Sequence, residues 1–145
     1  MDKQTLAEKV IAKMIADDVF SQWLDVEIMD LKPGYVKLGM KIRPEMNNGF
    51  NITHGGIAYS LADSALAFAS NSYGRVAVAL ETNISYLRKV NSGDTLTATT
   101  YELSMGNTIG VYNIMVANQH DKEVALFRGT VFRTNELHIN NSNEF

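Results

Sequence analysis

The chain has no cysteine, which removes disulfides, thiolate metal sites and cysteine nucleophiles together and suits a reducing compartment. Nor does it carry an excess of positive charge. Thirteen Lys and Arg against 16 Asp and Glu leave a formal charge of -3 and a pI near 5.5, so no basic field favours nucleic acid or an anionic membrane surface. The opening MDKQTLAEKV lacks a basic segment followed by an apolar core; no secretory signal is read, and the cytoplasm is the expected compartment. The least polar stretch, Gly55 to Ser72, contains Asp63, Asn71 and several serines, and reads as a buried helix rather than a membrane span. His54, His120 and His138 lie far apart with no metal-site spacing, and neither G-x-G-x-x-G nor a P-loop occurs, so neither a metal nor a nucleotide cofactor is expected. No internal repeat or linker is visible, and 145 residues with 46% hydrophobic content suit one domain over 1–134 followed by a polar, frayed tail over 135–145.

What is present is a change of period. Leu6, Val10, Ile11, Met14 and Ile15 recur at helical spacing, with Asp2 placed to cap them. From Leu24 the period becomes two. Leu24, Val26 and Ile28 alternate with Asp25 and Glu27, and then Val36, Leu38, Met40 and Ile42 alternate with Lys37, Gly39 and Lys41. Lys32-Pro33-Gly34 between them predicts a hairpin turn. Pro44 to Thr53 has neither period and reads as a loop leading into the apolar helix, which Gly74 ends. Four strands follow, roughly Val76 to Arg88, Thr95 to Leu103, Thr108 to Ala117 and Glu123 to Thr134, joined by short polar turns that predict a meander of antiparallel neighbours. The expected fold is α+β, a sheet curled around one long helix with a further helix at the N-terminus.

Asp63 is the one charged residue in the apolar helix. A buried carboxylate costs several kcal/mol unless paired, so such a residue is paired with backbone or Ser60, set at an interface, or used in chemistry. Thr53-His54-Gly55-Gly56 stands where loop becomes helix. Glycines there let a ligand approach the first free N–H groups, which lie at the positive end of the helix dipole, as an oxyanion hole requires. A tight turn is the commoner use of a Gly-Gly pair. Asn47-Asn48-Gly49 upstream offers an amide that orients a water or a carbonyl, or only turn chemistry.

Together Asn48-Gly49, His54-Gly55-Gly56 and Leu61-Ala62-Asp63, with the runs from Ala77 to Glu102 and Gly110 to Arg133, resemble the hot-dog fold acyl-CoA thioesterases of the phenylacetic acid degradation (PaaI-type) branch. The resemblance covers about Leu24 to Arg133. It implies hydrolysis of an acyl-CoA thioester without metal or cofactor, coenzyme A being part of the substrate. A Gly55 N–H, with Gly56 beside it, would polarise the carbonyl, while Asp63 attacks or activates water. His54 would place the loop and substrate, and Asn48 would orient the carbonyl or the water. Arg88, and Lys89 beside it, would meet the phosphates of coenzyme A; solvated strand ends are the ordinary reading of such cations. Some relatives add a serine on the strand after the helix, where this chain has Ala77, Val78 and Ala79. Phenylacetyl, hydroxyphenylacetyl or medium-chain acyl groups would fit an apolar pocket lined by Phe50, Tyr59 or Phe68.

Two rival readings share the fold: an acyl-thioester hydratase or dehydratase, for which His54 and Asp63 are the candidate pair, and a non-catalytic acyl-CoA-binding protein. Helix geometry adds a constraint. Nine residues separate His54 from Asp63, which at roughly 100° and 1.5 Å per residue turns the side chain to the opposite face and moves it about 13 Å. One chain therefore does not grip a carbonyl with both. A twofold homodimer with antiparallel helices would, and the resemblance extends this to a dimer of dimers, a homotetramer.

Overall fold

A computed structural model describes residues 1–140. Helix α1 (Lys3–Asp17) starts at Asp2, whose carboxylate accepts the Thr5 N–H at 2.7 Å, and buries Ala7, Val10 and Ile11. A second helix, α2 (Val19–Leu24), follows after one residue. Alternation suggests a strand from Leu24, but Asp18 caps this short helix through the Ser21 N–H, and Asp25 ends it in the left-handed region at φ 60°. Strand β1 (Glu27–Lys32) therefore starts later than its alternating pattern. It forms the expected hairpin with β2 (Tyr35–Lys41), turning at Gly34 with φ 77°. Within the expected loop, Pro44–Met46 is a 3-10 turn, and Asn47 bridges to Thr53.

Helix α3 (Gly55–Asn71) is the filling. Leu61, Ala62, Ala65, Leu66, Phe68 and Ala69 are buried on it, and it packs against β2 and all four later strands, β3 (Arg75–Tyr86), β4 (Thr95–Met105), β5 (Ile109–Ala117) and β6 (Glu123–Leu137). Each fully buried Leu or Phe contributes on the order of 2 kcal/mol, so this face holds sheet to helix. Near Gly129, leucine packs so closely that an added Cβ would lie 2.5 Å from Leu66.

The sheet is antiparallel throughout, in the order β1-β2-β4-β5-β6-β3. Only β4, β5 and β6 form the meander expected of four strands. Strand β3 pairs with β6 instead of β4, because the chain leaving α3 closes the far side of the sheet around the helix. The segment joining β3 to β4 must then cross the start of α3. Leu87 N–H donates to Val124 C=O, Thr53 N–H to Val90 C=O, and Ile42 N–H to Asp94 C=O, pinning it at three places. At the C-terminal end, pairing continues beyond Thr134 to Leu137 opposite Arg75, and His138 hydrogen-bonds the Asn71 amide oxygen at 2.7 Å. Residues 141–145 of the polar tail lie outside the described residues. Among the described residues no helix is long and apolar enough to cross a membrane.

Candidate active site

The crossing segment and the start of α3 enclose a cavity of about 400 Å³ whose walls include Asn48, His54, Gly55, Tyr86, Arg88 and Lys89. Five residues singled out in the sequence thus converge from three separate stretches of chain. Gly56, the residue after Gly55, is not part of the lining. Its N–H donates to His54 Nδ1 at 3.0 Å, so the imidazole caps α3 and Gly56 has no free donor. No hydrogen bond among the described residues uses the Gly55 N–H, which leaves it as the free donor at the positive end of the helix. A neutral imidazole that accepts at Nδ1 carries its proton on Nε2, so His54 enters as a donor.

Both glycines stand in tight surroundings, where a larger residue would push a neighbouring side chain aside by a few tenths of an ångström. A Cβ on Gly55 would stand 3.0 Å from the Tyr86 ring and hydroxyl, and one on Gly56 would stand 3.1 Å from His54 Nδ1. Asn48 is held by its own loop: its Oδ1 accepts the Phe50 N–H at 2.9 Å and, more weakly, the Ile52 N–H at 3.4 Å. The amide NH2 makes no bond among the described residues. Arg88 and Lys89 are exposed at the cavity rim and form no ion pair there; the one side-chain ion pair among the described residues joins Arg43 to Glu45.

Asp63 is elsewhere. It opens onto a second cleft of about 200 Å³, walled by Leu66, Ala67, Ser70, Ala77, Val78, Ala79 and Val131. Of the readings left open for Asp63, pairing with backbone or Ser60 is not found. Its side chain is exposed in the protomer, it has no hydrogen-bond partner among the described residues, and Ser60 donates instead to the Gly56 carbonyl at 2.7 Å. Partial desolvation in the cleft raises its pKa above the usual carboxylate value, and the negative charge of Asp18 raises it further. Asp18 is fixed by Ser21, whose hydroxyl meets that of Ser64 at 2.8 Å, so α2 is tied to α3 one residue from Asp63.

The aromatic lining expected of the pocket is not found. Phe50 is 87% exposed on the loop, Phe68 is in the core, and Tyr59 packs edge-on against Phe127 with its hydroxyl bonded to Thr82. Small residues, Ala67, Ala77 and Ala79, line the Asp63 cleft instead. Tyr86 and Asp18 were not legible as site residues. Tyr86 sits in an ordinary alternating strand, and Asp18 in a stretch of acidic residues, so neither carries a local signal.

The thioesterase superfamily model matches residues 50–125. A putative esterase of Archaeoglobus fulgidus is 40% identical over 134 residues, 92% of this chain and 87% of that protein. The acyl-coenzyme A thioesterase PaaI of Escherichia coli is 42% identical over 120 residues, 83% of this chain and 86% of its own. The structure of that PaaI protein, from the phenylacetic acid degradation operon, superposes with a TM-score of 0.91 at 38% identity, covering 94% of this chain and 99% of the other. A Streptococcus mutans protein solved with acetyl-CoA bound superposes with a TM-score of 0.74 at 29% identity over 77% of this chain and 90% of the other.

Proposed function

The chain belongs to the thioesterase superfamily, with its hot-dog fold, and from that membership we propose that it hydrolyses acyl-CoA thioesters at sites shared between two protomers. The observation that carries this reading is the separation of the two half-sites. Gly55, His54, Asn48, Arg88 and Lys89 share one cavity of a protomer, while Asp63 faces another cleft. In the proposed site the thioester carbonyl oxygen accepts from the Gly55 N–H and is oriented by the Asn48 NH2, and the coenzyme A phosphates lie against Arg88 and Lys89. Asp63 of the second protomer attacks the carbonyl carbon or takes a proton from the water that does. Either way one water is consumed, the C–S bond breaks, and the thiol of coenzyme A leaves with a proton. No separate cofactor enters.

Strand β3 supports the pairing of protomers. It is an edge strand of 12 residues with Val78 and Leu80 exposed, which pairing with a second copy would cover while bringing two α3 helices together antiparallel. We extend this to a dimer of dimers. The small cleft beside Asp63 suits a compact acyl group, and we take the substrate to be of the phenylacetyl or hydroxyphenylacetyl class, with medium-chain acyl groups next. The cysteine-free sequence suits a cytoplasmic site of action. A hydratase reading is disfavoured because His54 Nδ1 is taken up as a helix cap.

Thiol release measured over a panel of acyl-CoAs tests the activity, with the arylacetyl esters expected fastest; no release from any ester sinks it. Mixing an Asp63→Asn chain with a Gly55→Ala chain tests the shared site. Exchanged heterodimers should regain up to half of the wild-type turnover per dimer, since one of the two sites then holds both intact halves. Mixtures shown to exchange but as inactive as either parent would refute it.

A further inference from the structure

The start of α3 poses a mechanical problem. Two glycines in series are the least restrained way to begin a helix, yet an oxyanion donor must be held in place before the charge develops. The Tyr86 hydroxyl donates to the Gly55 carbonyl at 3.0 Å. That carbonyl and the Gly56 N–H are the two ends of one peptide group, and the Gly56 N–H donates to His54 Nδ1, also at 3.0 Å. We infer that Tyr86 is a positioning residue of the active site, clamping the Gly55–Gly56 peptide from the sheet side and, through it, holding His54 in the tautomer that carries its proton on Nε2.

Three observations build the clamp. First, Tyr86 is itself anchored: its backbone pairs with Ala125 on β6, and the next two N–H groups, of Leu87 and Arg88, both donate to Val124 C=O at 2.9 and 3.3 Å. The hydroxyl thus reaches α3 from a rigid strand end. Second, the fit is tight: a Cβ on Gly55 would stand 3.0 Å from the Tyr86 ring and hydroxyl, so any larger residue there would push the ring back by a few tenths of an ångström. Third, hydrogen bonds at the two ends of one amide strengthen one another, because polarising the carbonyl makes the N–H a better donor. Fixing that peptide at both ends limits the rotation of Gly55, and so the direction of its own free N–H. Tyr86 also walls the cavity beside Arg88, so the residue that sets the donor touches the space the substrate would fill. This inference rests on the proposed activity for its catalytic meaning, but the clamp itself can be observed without turnover.

The test is Tyr86→Phe in the full-length protein, which keeps the ring and removes the hydroxyl. Its first arm is spectroscopic. In wild type the ring nitrogen shifts of His54 should show Nδ1 unprotonated; in the variant the two tautomers should mix, and exchange of the Gly56 amide should quicken roughly fivefold with the weakening of its bond. The second arm is kinetic. The kcat for acyl-CoA should fall roughly fivefold to tenfold with KM changed less than twofold, because no contact to coenzyme A is removed. Thermal stability should be unchanged, as Tyr86 is an exposed residue. Unaltered His54 and Gly56 signals would overturn the clamp, and altered signals with unaltered kcat would overturn its role in positioning. A wild-type protein that released no thiol would instead overturn the proposed activity, and the spectra would still decide the clamp.

Discussion

The two ends of the N-terminal half of α3 are built on opposite principles. At His54, Gly55 and Gly56 the framing groups are tied down, the imidazole capping the helix, Tyr86 holding the Gly55 carbonyl and the loop bracing Asn48 Oδ1, while the Gly55 N–H and the Asn48 NH2 are left without a partner among the described residues. Two turns on, Asp63 has no hydrogen-bond partner among the described residues, a like charge nearby, and a cleft that desolvates it. The first region spends its hydrogen bonds on shape. The second leaves a carboxylate whose charged form is disfavoured, which is what the proposed role of Asp63 calls for.

The contrast breaks most sharply at Asp63. Asp63→Asn should lower turnover roughly a hundredfold or more while leaving the fold intact. It should also raise the melting temperature at neutral pH. A carboxylate whose pKa is higher folded than unfolded binds its proton more tightly in the native state, so its ionisation costs stability above both values. The gain from removing it is present at neutral pH and vanishes as pH falls below the unfolded value. Calorimetry over pH 3 to 8 checks the sign; a lower melting temperature at pH 7 would mean that Asp63 is held by a structural bond.

Next in size is Asn48→Asp, which keeps the Oδ1 acceptor for the Phe50 and Ile52 N–H groups but removes the NH2 donor. Turnover should fall at least about tenfold with the loop preserved. Equal loss in Asn48→Asp and a loop-disrupting Asn48→Ala, with equal loss of stability, would assign Asn48 to the loop alone. Arg88→Ala should act differently, raising KM roughly fivefold with little change in kcat, since a phosphate contact remote from the thioester contributes uniform binding at about 1 kcal/mol. A collapse of kcat at constant KM would show that the coenzyme lies elsewhere.

The smallest effect is expected from Asp18→Asn. It removes one of the two causes that raise the Asp63 pKa, and the lesser one. Activity that needs ionised Asp63 falls as pH drops through its pKa, so the acid limb of the rate profile should move to lower pH, desolvation keeping part of the shift. Asparagine still caps α2, which separates this from a loss of structure. An unmoved limb would show that Asp18 does not act on Asp63.

Much of the frame was legible because it is local. Helical spacing in α1, alternation in β2, the turn at Pro33-Gly34 and the apolar run of α3 each depend on neighbours within a few residues. Asp63 stood out as a lone charge in that run, and His54-Gly55-Gly56 as glycines at a helix start. Alternation misled at Leu24, where a cap and a left-handed residue ended a short helix within the same pattern. It was also silent on whether Asp63 pointed into the core, because a helix has a face toward the sheet and a face away, and composition does not say which face a residue takes.

The amino-acid sequence by itself determined most of the elements, though not the short helix α2, and the spacing of His54 and Asp63 along one helix, since backbone period and rise are properties of the local chain. The tertiary structure alone decided that β3 pairs with β6, that the crossing segment carries Arg88 to the start of α3, that Tyr86 reaches Gly55 across 31 residues, and that Asp18 lies near Asp63. Those contacts depend on strand register and on how the sheet closes around the helix, which no local pattern encodes.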